Sequence, residues 1–92
     1  MNLSDHKVLY QAALDKWGHE AQFDQAVEEC AEMITAIKHF RRGKVSQQAV
    51  VDELADVLLM AGQMIYMLGE DAVSAAVEAK IRKLNHLIKN PD

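Results

Sequence analysis

Two acidic clusters hold the residues whose types and spacing suit them to chemistry: Glu28-Glu29-Cys30-Ala31-Glu32 and Glu53-Leu54-Ala55-Asp56. Between them lies Arg41-Arg42-Gly43-Lys44-Val45-Ser46. A glycine that ends one helix and a serine that caps the next are the punctuation of a tight helix–helix turn. Glu32 and Glu53 are equidistant from the middle of that turn, and so are Glu29 and Asp56. If the two helices fold back antiparallel, each acidic residue lies level with one on the facing helix. At ~1.5 Å rise per residue, this group stands roughly 15 to 20 Å from the turn.

Rotational position agrees with axial position, because each helical residue turns by ~100°. Glu29 and Glu32 flank Cys30, which belongs to the apolar line Phe23, Val27, Cys30, Ile34, Ile37. Glu53 and Asp56 flank Leu54 in the same way, on the line Val50, Leu54, Val57, Leu58, Ala61, Ile65. With both lines buried, the carboxylates converge at the edge of a core. Left alone they repel one another and their pKa values rise. A hard divalent cation resolves that conflict, and an all-oxygen donor set selects Mg²⁺, or Mn²⁺ in its place.

The elements that must position this group read as helices. The chain has 92 residues, half of them hydrophobic, with only two Phe, two Tyr and one Trp. That is one domain, 1–92, with an aliphatic, Met-containing core. A single proline, Pro91, and four glycines leave long unbroken stretches. Four helices are expected, at about 5–17, 20–41, 47–68 and 71–89. Ser4 is the expected cap of the first, Leu3 staples onto Val8, and Gly18 ends it. Leu9, Ala13 and Leu14 form its apolar face. Gly69 separates the third and fourth helices, and Asn-Pro-Asp closes the chain. The whole is all-α, an antiparallel four-helix arrangement. Residues 57–68 are apolar nearly all round and need burial on more than one side. That segment is expected at a subunit interface, in a homodimer or homotetramer that completes the bundle.

Composition also excludes functions. A net charge of −4 is wrong for duplex nucleic acid, which needs a basic face. The apolar run 57–68 is too short to span a bilayer, and the polar N-terminus does not read as a signal peptide. One cysteine permits no internal disulfide. A cytoplasmic location is expected. Without a Gly-x-x-x-x-Gly-Lys loop the chain is not a P-loop enzyme. Without Glu-x-x-His pairs it does not match a diiron bundle. His6, His19, His39 and His86 share no ligand spacing and read as surface or packing residues.

The pattern Glu-Glu-x-x-Glu, about twenty residues, then Glu-x-x-Asp resembles the signature of the MazG-like all-α nucleoside triphosphate pyrophosphohydrolases. Lys16-Trp17-Gly18 with Gln22, the run Asp52 to Val57, and Lys80 with Lys83-Leu84 extend the likeness from about Lys16 to Ile88. The resemblance implies hydrolysis of a nucleoside triphosphate between its α- and β-phosphates, with Mg²⁺ and in a dimer or tetramer. The role would be removal of modified or excess nucleotides. Glu29, Glu32, Glu53 and Asp56 would hold the metal, and Glu28 or Glu29 would take the proton from the attacking water. Lys80 and Lys83 would neutralise phosphate charge, and Trp17 either stacks on the base or, as a lone Trp at a helix end more often does, anchors the core. The competing expectation is a catalytically silent helical module that oligomerises or binds a protein through 57–68.

Overall fold

The computed structural model describes residues 1–90. A 3₁₀ turn at Leu3–His6 leads into α1 (Lys7–Arg41), α2 (Gln47–Leu68) and α3 (Glu70–Lys89), with no strand among the described residues. The fold is all-α, as expected. Of the terminal Asn-Pro-Asp, Pro91 and Asp92 lie outside the described residues.

The α1–α2 turn forms by local chemistry alone. Gly43 adopts φ +71°, open to glycine because it lacks a Cβ. Its N–H donates to Phe40 O at 2.9 Å and that of Lys44 to His39 O at 2.9 Å. These two bonds satisfy carbonyls that the end of a helix leaves unpaired. Ser46 then caps α2, its side chain accepting from the Ala49 N–H at 3.3 Å. The chain therefore reverses in five residues, 42–46, and α2 returns antiparallel along α1.

The first two expected helices run together in α1, interrupted at Gly18 by a single non-helical residue. Gly18 holds φ 86°, ψ 164°, in the middle of an otherwise helical run. No neighbouring atom would obstruct a side chain there, so the backbone angle alone demands glycine. The four expected helices appear as three elements because the first two meet end to end at Gly18, whose backbone is not helical. Ser4 is not the cap: Asn2 is, its Oδ1 accepting from the Ser4 N–H at 3.1 Å and the Ser4 hydroxyl at 2.7 Å.

Tyr10 fastens the N-terminal half of α1 to α2. It is 2% exposed and lies over Gly62, where the absence of a side chain lets the ring approach the α2 backbone. The Tyr10 hydroxyl donates to Leu3 O at 2.8 Å. The buried Gln63 amide donates to Tyr10 O at 3.1 Å, and the Tyr66 hydroxyl donates to Gln11 Oε1 at 2.6 Å. Leu3 therefore meets Tyr10 and Gly62, and Val8, its expected staple partner, is exposed. Leu14 is buried on the Tyr10 face, whereas Leu9 is exposed.

Burial along the rest of α1 departs from the expected line. Gln22, Ala26, Glu29, Met33, Ala36 and His39 are the buried or half-buried positions, at the spacing of one helical face. Phe23, Val27, Cys30, Ile34 and Ile37 are exposed, and so is Leu54 on α2. Cys30 is therefore not a core residue of the chain. α3 leaves α2 through Gly69, and every residue from Ser74 to Asn90 is exposed, including Val77, Ile81, Leu84 and Ile88. Its tie to α1 is the surface ion pair Lys7–Glu70 at 3.4 Å, of a kind worth about 1 kcal/mol at most. The radius of gyration is 15.9 Å, against about 12 Å for a closed domain of this length.

Gly62→Ala tests the Tyr10 contact. A Cβ there would come within 2.8 Å of Tyr10 Cζ and closer still to the hydroxyl. Alanine improves helix propensity by about 1 kcal/mol, but overpacking a fixed ring costs about 1–3 kcal/mol or more. The ring cannot retreat without breaking its bond to Leu3, so the variant should unfold at lower denaturant concentration than the parent.

Candidate metal centre

The turn fixes the register, and the register builds the site. Glu29 comes from α1, Glu53 and Asp56 from α2, and one oxygen from each lies within 4.8 Å of the others. Glu29 and Glu53 are half-buried and Asp56 is exposed. The Gln25 amide, one turn earlier on α1, donates to Glu29 Oε1 at 2.7 Å and fixes that carboxylate. Glu29 Oε2 and Glu53 Oε2 are both buried without a hydrogen-bond partner. Buried carboxylate oxygens are costly unless something pairs with them.

Glu32 belongs to the same electrostatic group. Partial loss of water around its carboxyl, then the neighbouring Glu53, Glu28 and Asp56 carboxylates, raise it above the ordinary carboxylate range. Glu28 thus lies near enough to feel Glu32, on the exposed side of α1. The residues fit a hard divalent cation. Three carboxylates that converge from two helices, two of them with a buried unpartnered oxygen, form an all-oxygen donor set of the kind that suits Mg²⁺ or Mn²⁺.

The centre sits between two cavities along the α1–α2 seam. One, of about 380 Å³ toward the turn, is lined by Glu32, Thr35, His39 and Glu53 among others. The other, of about 460 Å³ at the Gly18 kink, is lined by Trp17, Gln22, Gln25, Leu59, Met60 and Gln63 among others. Trp17 is 59% exposed, and Lys16 Nζ stands 5.1 Å from its ring centroid. Lys80 and Lys83 are exposed on α3, and neither forms an ion pair with any carboxylate among the described residues. The structure thus gathers the acidic residues and opens a cavity beside Trp17, but does not bring the two lysines to the carboxylates.

Sequence reasoning missed Gln25 and His39. Gln25 lies one turn before Glu29 and His39 two turns after Glu32, so both share the face of the acidic residues. That periodicity was the available signal.

The model of the MazG nucleotide pyrophosphohydrolase domain matches residues 17–89. The chain belongs to this family. The match begins at Trp17, beside the kink, and covers both acidic clusters and all of α3. No curated protein and no solved structure matches the chain. No described helix is long and apolar enough to cross a membrane.

The raised Glu32 pKa fixes a pH dependence for this MazG domain without metal. The folded chain holds the Glu32 proton more tightly than the unfolded chain, whose Glu titrates near 4.5. Stability therefore rises as pH falls from neutral through the raised value, and the penalty is fully present at neutral pH. Thermal melts in chelator should show this slope, and Glu32→Gln should reduce it while raising the neutral-pH melting temperature. Excess Mg²⁺ should flatten the slope for the parent.

Proposed function

We propose that this MazG domain hydrolyses a nucleoside triphosphate between its α- and β-phosphates, releasing the monophosphate and pyrophosphate with Mg²⁺ as the cofactor. The observation that carries this is the convergence of Glu29, Glu53 and Asp56, with Oε2 of both glutamates buried and unpaired, in a member of a pyrophosphohydrolase family. In this reading Glu29, Glu32, Glu53 and Asp56 hold the metal. When bound, the cation draws phosphate oxygens to the carboxylates and offsets the negative charge that develops on them.

The remaining steps belong to the chain's own residues. Glu29 has one oxygen held by Gln25 and the other buried without a partner, and in this reading that second oxygen is given to the cation. Glu28 is exposed, next to Glu32 and outside the tight triad. It is the carboxylate left to take the proton from the attacking water. Lys80 and Lys83 would offset the remaining phosphate charge once α3 packs more closely than it does in an isolated chain. A role in removing modified or excess nucleotides, and a cytoplasmic location, complete the proposal.

The assembly is part of it. The chain exposes 7119 Å² of surface, against about 5,400 Å² for a closed monomer of its size. The excess, roughly 1,700 Å², is of the order that protein interfaces bury. A homodimer or homotetramer would cover the outer side of 57–68, where Leu59 and Leu68 are exposed, with the apolar lines of α1 and α3.

Two variants separate the roles. Glu53→Gln should abolish pyrophosphate release and also the Mg²⁺-induced rise in melting temperature. Glu28→Gln should lower kcat by roughly 10²- to 10⁴-fold, the usual worth of a general base, and leave the Mg²⁺ shift intact. Loss of the Mg²⁺ shift in Glu28→Gln would make Glu28 a ligand instead.

A further inference from the structure

The two cavities beside the carboxylates lie in opposite electrostatic surroundings. On the kink side, α1 carries Asp15, Glu20, Asp24 and Glu28 against Lys16. On the turn side, residues 33–51 contain no acidic residue and hold Lys38, Arg41, Arg42 and Lys44. None of these four forms an ion pair among the described residues. A polyanion held at the centre is therefore drawn toward the turn.

The cavity on the turn side has one free donor. Glu32 and Glu53 line it at the centre, and His39 lines it two helical turns beyond Glu32, about 10 Å along α1. The carboxylates, when ionised, only accept. The Thr35 hydroxyl donates to Ala31 O at 3.2 Å, so its proton is committed. The other lining side chains are those of alanine and valine. His39 is half-buried, and its ring has no hydrogen-bond partner among the described residues. An imidazole keeps at least one N–H in either tautomer. The turn fixes its backbone, because His39 O accepts from the N–H groups of Arg42 at 3.2 Å and Lys44 at 2.9 Å.

We propose that His39 recognises the terminal phosphate of the substrate and so makes the chain select triphosphates over diphosphates. This rests on the pyrophosphohydrolase reading for its substrate class. A cation held by Glu32 and Glu53 grips the phosphates nearest the centre, and a phosphate chain running toward the turn meets the imidazole with its far end. The His39 N–H then donates to an anionic oxygen, a charge-assisted bond. A diphosphate on the same cation ends short of the imidazole, and the donor faces water instead. After cleavage the same contact holds the departing pyrophosphate. Lys38, Arg41, Arg42 and Lys44 attract the anion to this end from solution.

Inorganic pyrophosphate and inorganic phosphate are titrated calorimetrically into the full-length protein with Mg²⁺, for the parent, His39→Leu and His39→Gln. The parent should bind pyrophosphate more tightly than phosphate. His39→Leu should weaken pyrophosphate roughly 10- to 100-fold, the usual worth of a hydrogen bond to a charged group. His39→Gln keeps an N–H donor and should restore much of that loss. Both variants should keep the parent's phosphate affinity and its Mg²⁺-induced rise in melting temperature, which a merely structural role for His39 would not allow. If His39→Leu does not fold, Ala49→Met, which fills the cavity from α2, replaces it and should also weaken pyrophosphate. ATP, CTP, GTP and UTP are then compared with their diphosphates for turnover, where His39→Leu should raise KM for the triphosphates with kcat nearly unchanged. His39-dependent pyrophosphate binding without turnover of any triphosphate would support the contact and defeat the hydrolase reading. Turnover with pyrophosphate bound equally by the parent and His39→Leu, or by neither, would overturn the contact and leave the hydrolase standing.

Discussion

Mutual repulsion among Glu29, Glu32, Glu53 and Asp56 is the constraint around which the α1–α2 pair is built. Two like charges ~4 Å apart repel by roughly 1 kcal/mol in water and about 4 kcal/mol near a protein surface. The middle of the helix pair therefore pushes itself apart, and other contacts must hold it closed. At one end the Gly43–Ser46 reversal links the helices covalently in a defined register. At the other, Tyr10 seats on Gly62 and hydrogen-bonds to Leu3 and Gln63, while the neighbouring Tyr66 donates to Gln11. The carboxylates are suspended between these fixtures, which is how an unfavourable charge arrangement persists at all.

Legibility followed from how local each determinant is. The span of α2 and the meeting of the two acidic clusters could be read because one glycine and one serine fix the turn, and the turn fixes the register. Gly18 was visible as an interruption because glycine alone adopts its backbone angle at no steric cost, but the sequence did not show that the next helix starts at once. The orientation of α1 was misread for a different reason. An apolar line shows that a face is covered by something, without showing what. Phe23, Val27, Ile34 and Ile37 carry the stronger pattern, yet within the chain the seam uses Gln22, Ala26, Glu29, Met33 and Ala36. That face mixes small, polar and charged residues and has no hydropathy signature. The buried glutamines were illegible on the same ground, because glutamine is ordinarily a surface residue.

Family membership and geometry answer different questions. The match over 17–89 states the reaction class to which the fold is adapted. Geometry shows which oxygens of this chain are fixed, which are orphaned and which cavities adjoin them. Gln25 connects the two, since one side chain touches the carboxylate centre and also lines the cavity beyond it. A substitution there would disturb the carboxylate centre and the cavity at once.

α3 has a thermodynamic consequence of its own. A helix of 20 residues with almost nothing packed along it is marginal in water, because nucleation is costly and propagation gains little per residue. It is the part of the fold with the least tertiary protection, so its amides open to solvent well below the global unfolding free energy. Anything that settles onto α3 must first supply the entropy of quieting it. Affinity for such an occupant is set as much by how often α3 is whole as by the contacts finally made, and a substitution that stiffens the helix would tighten binding without touching what is bound.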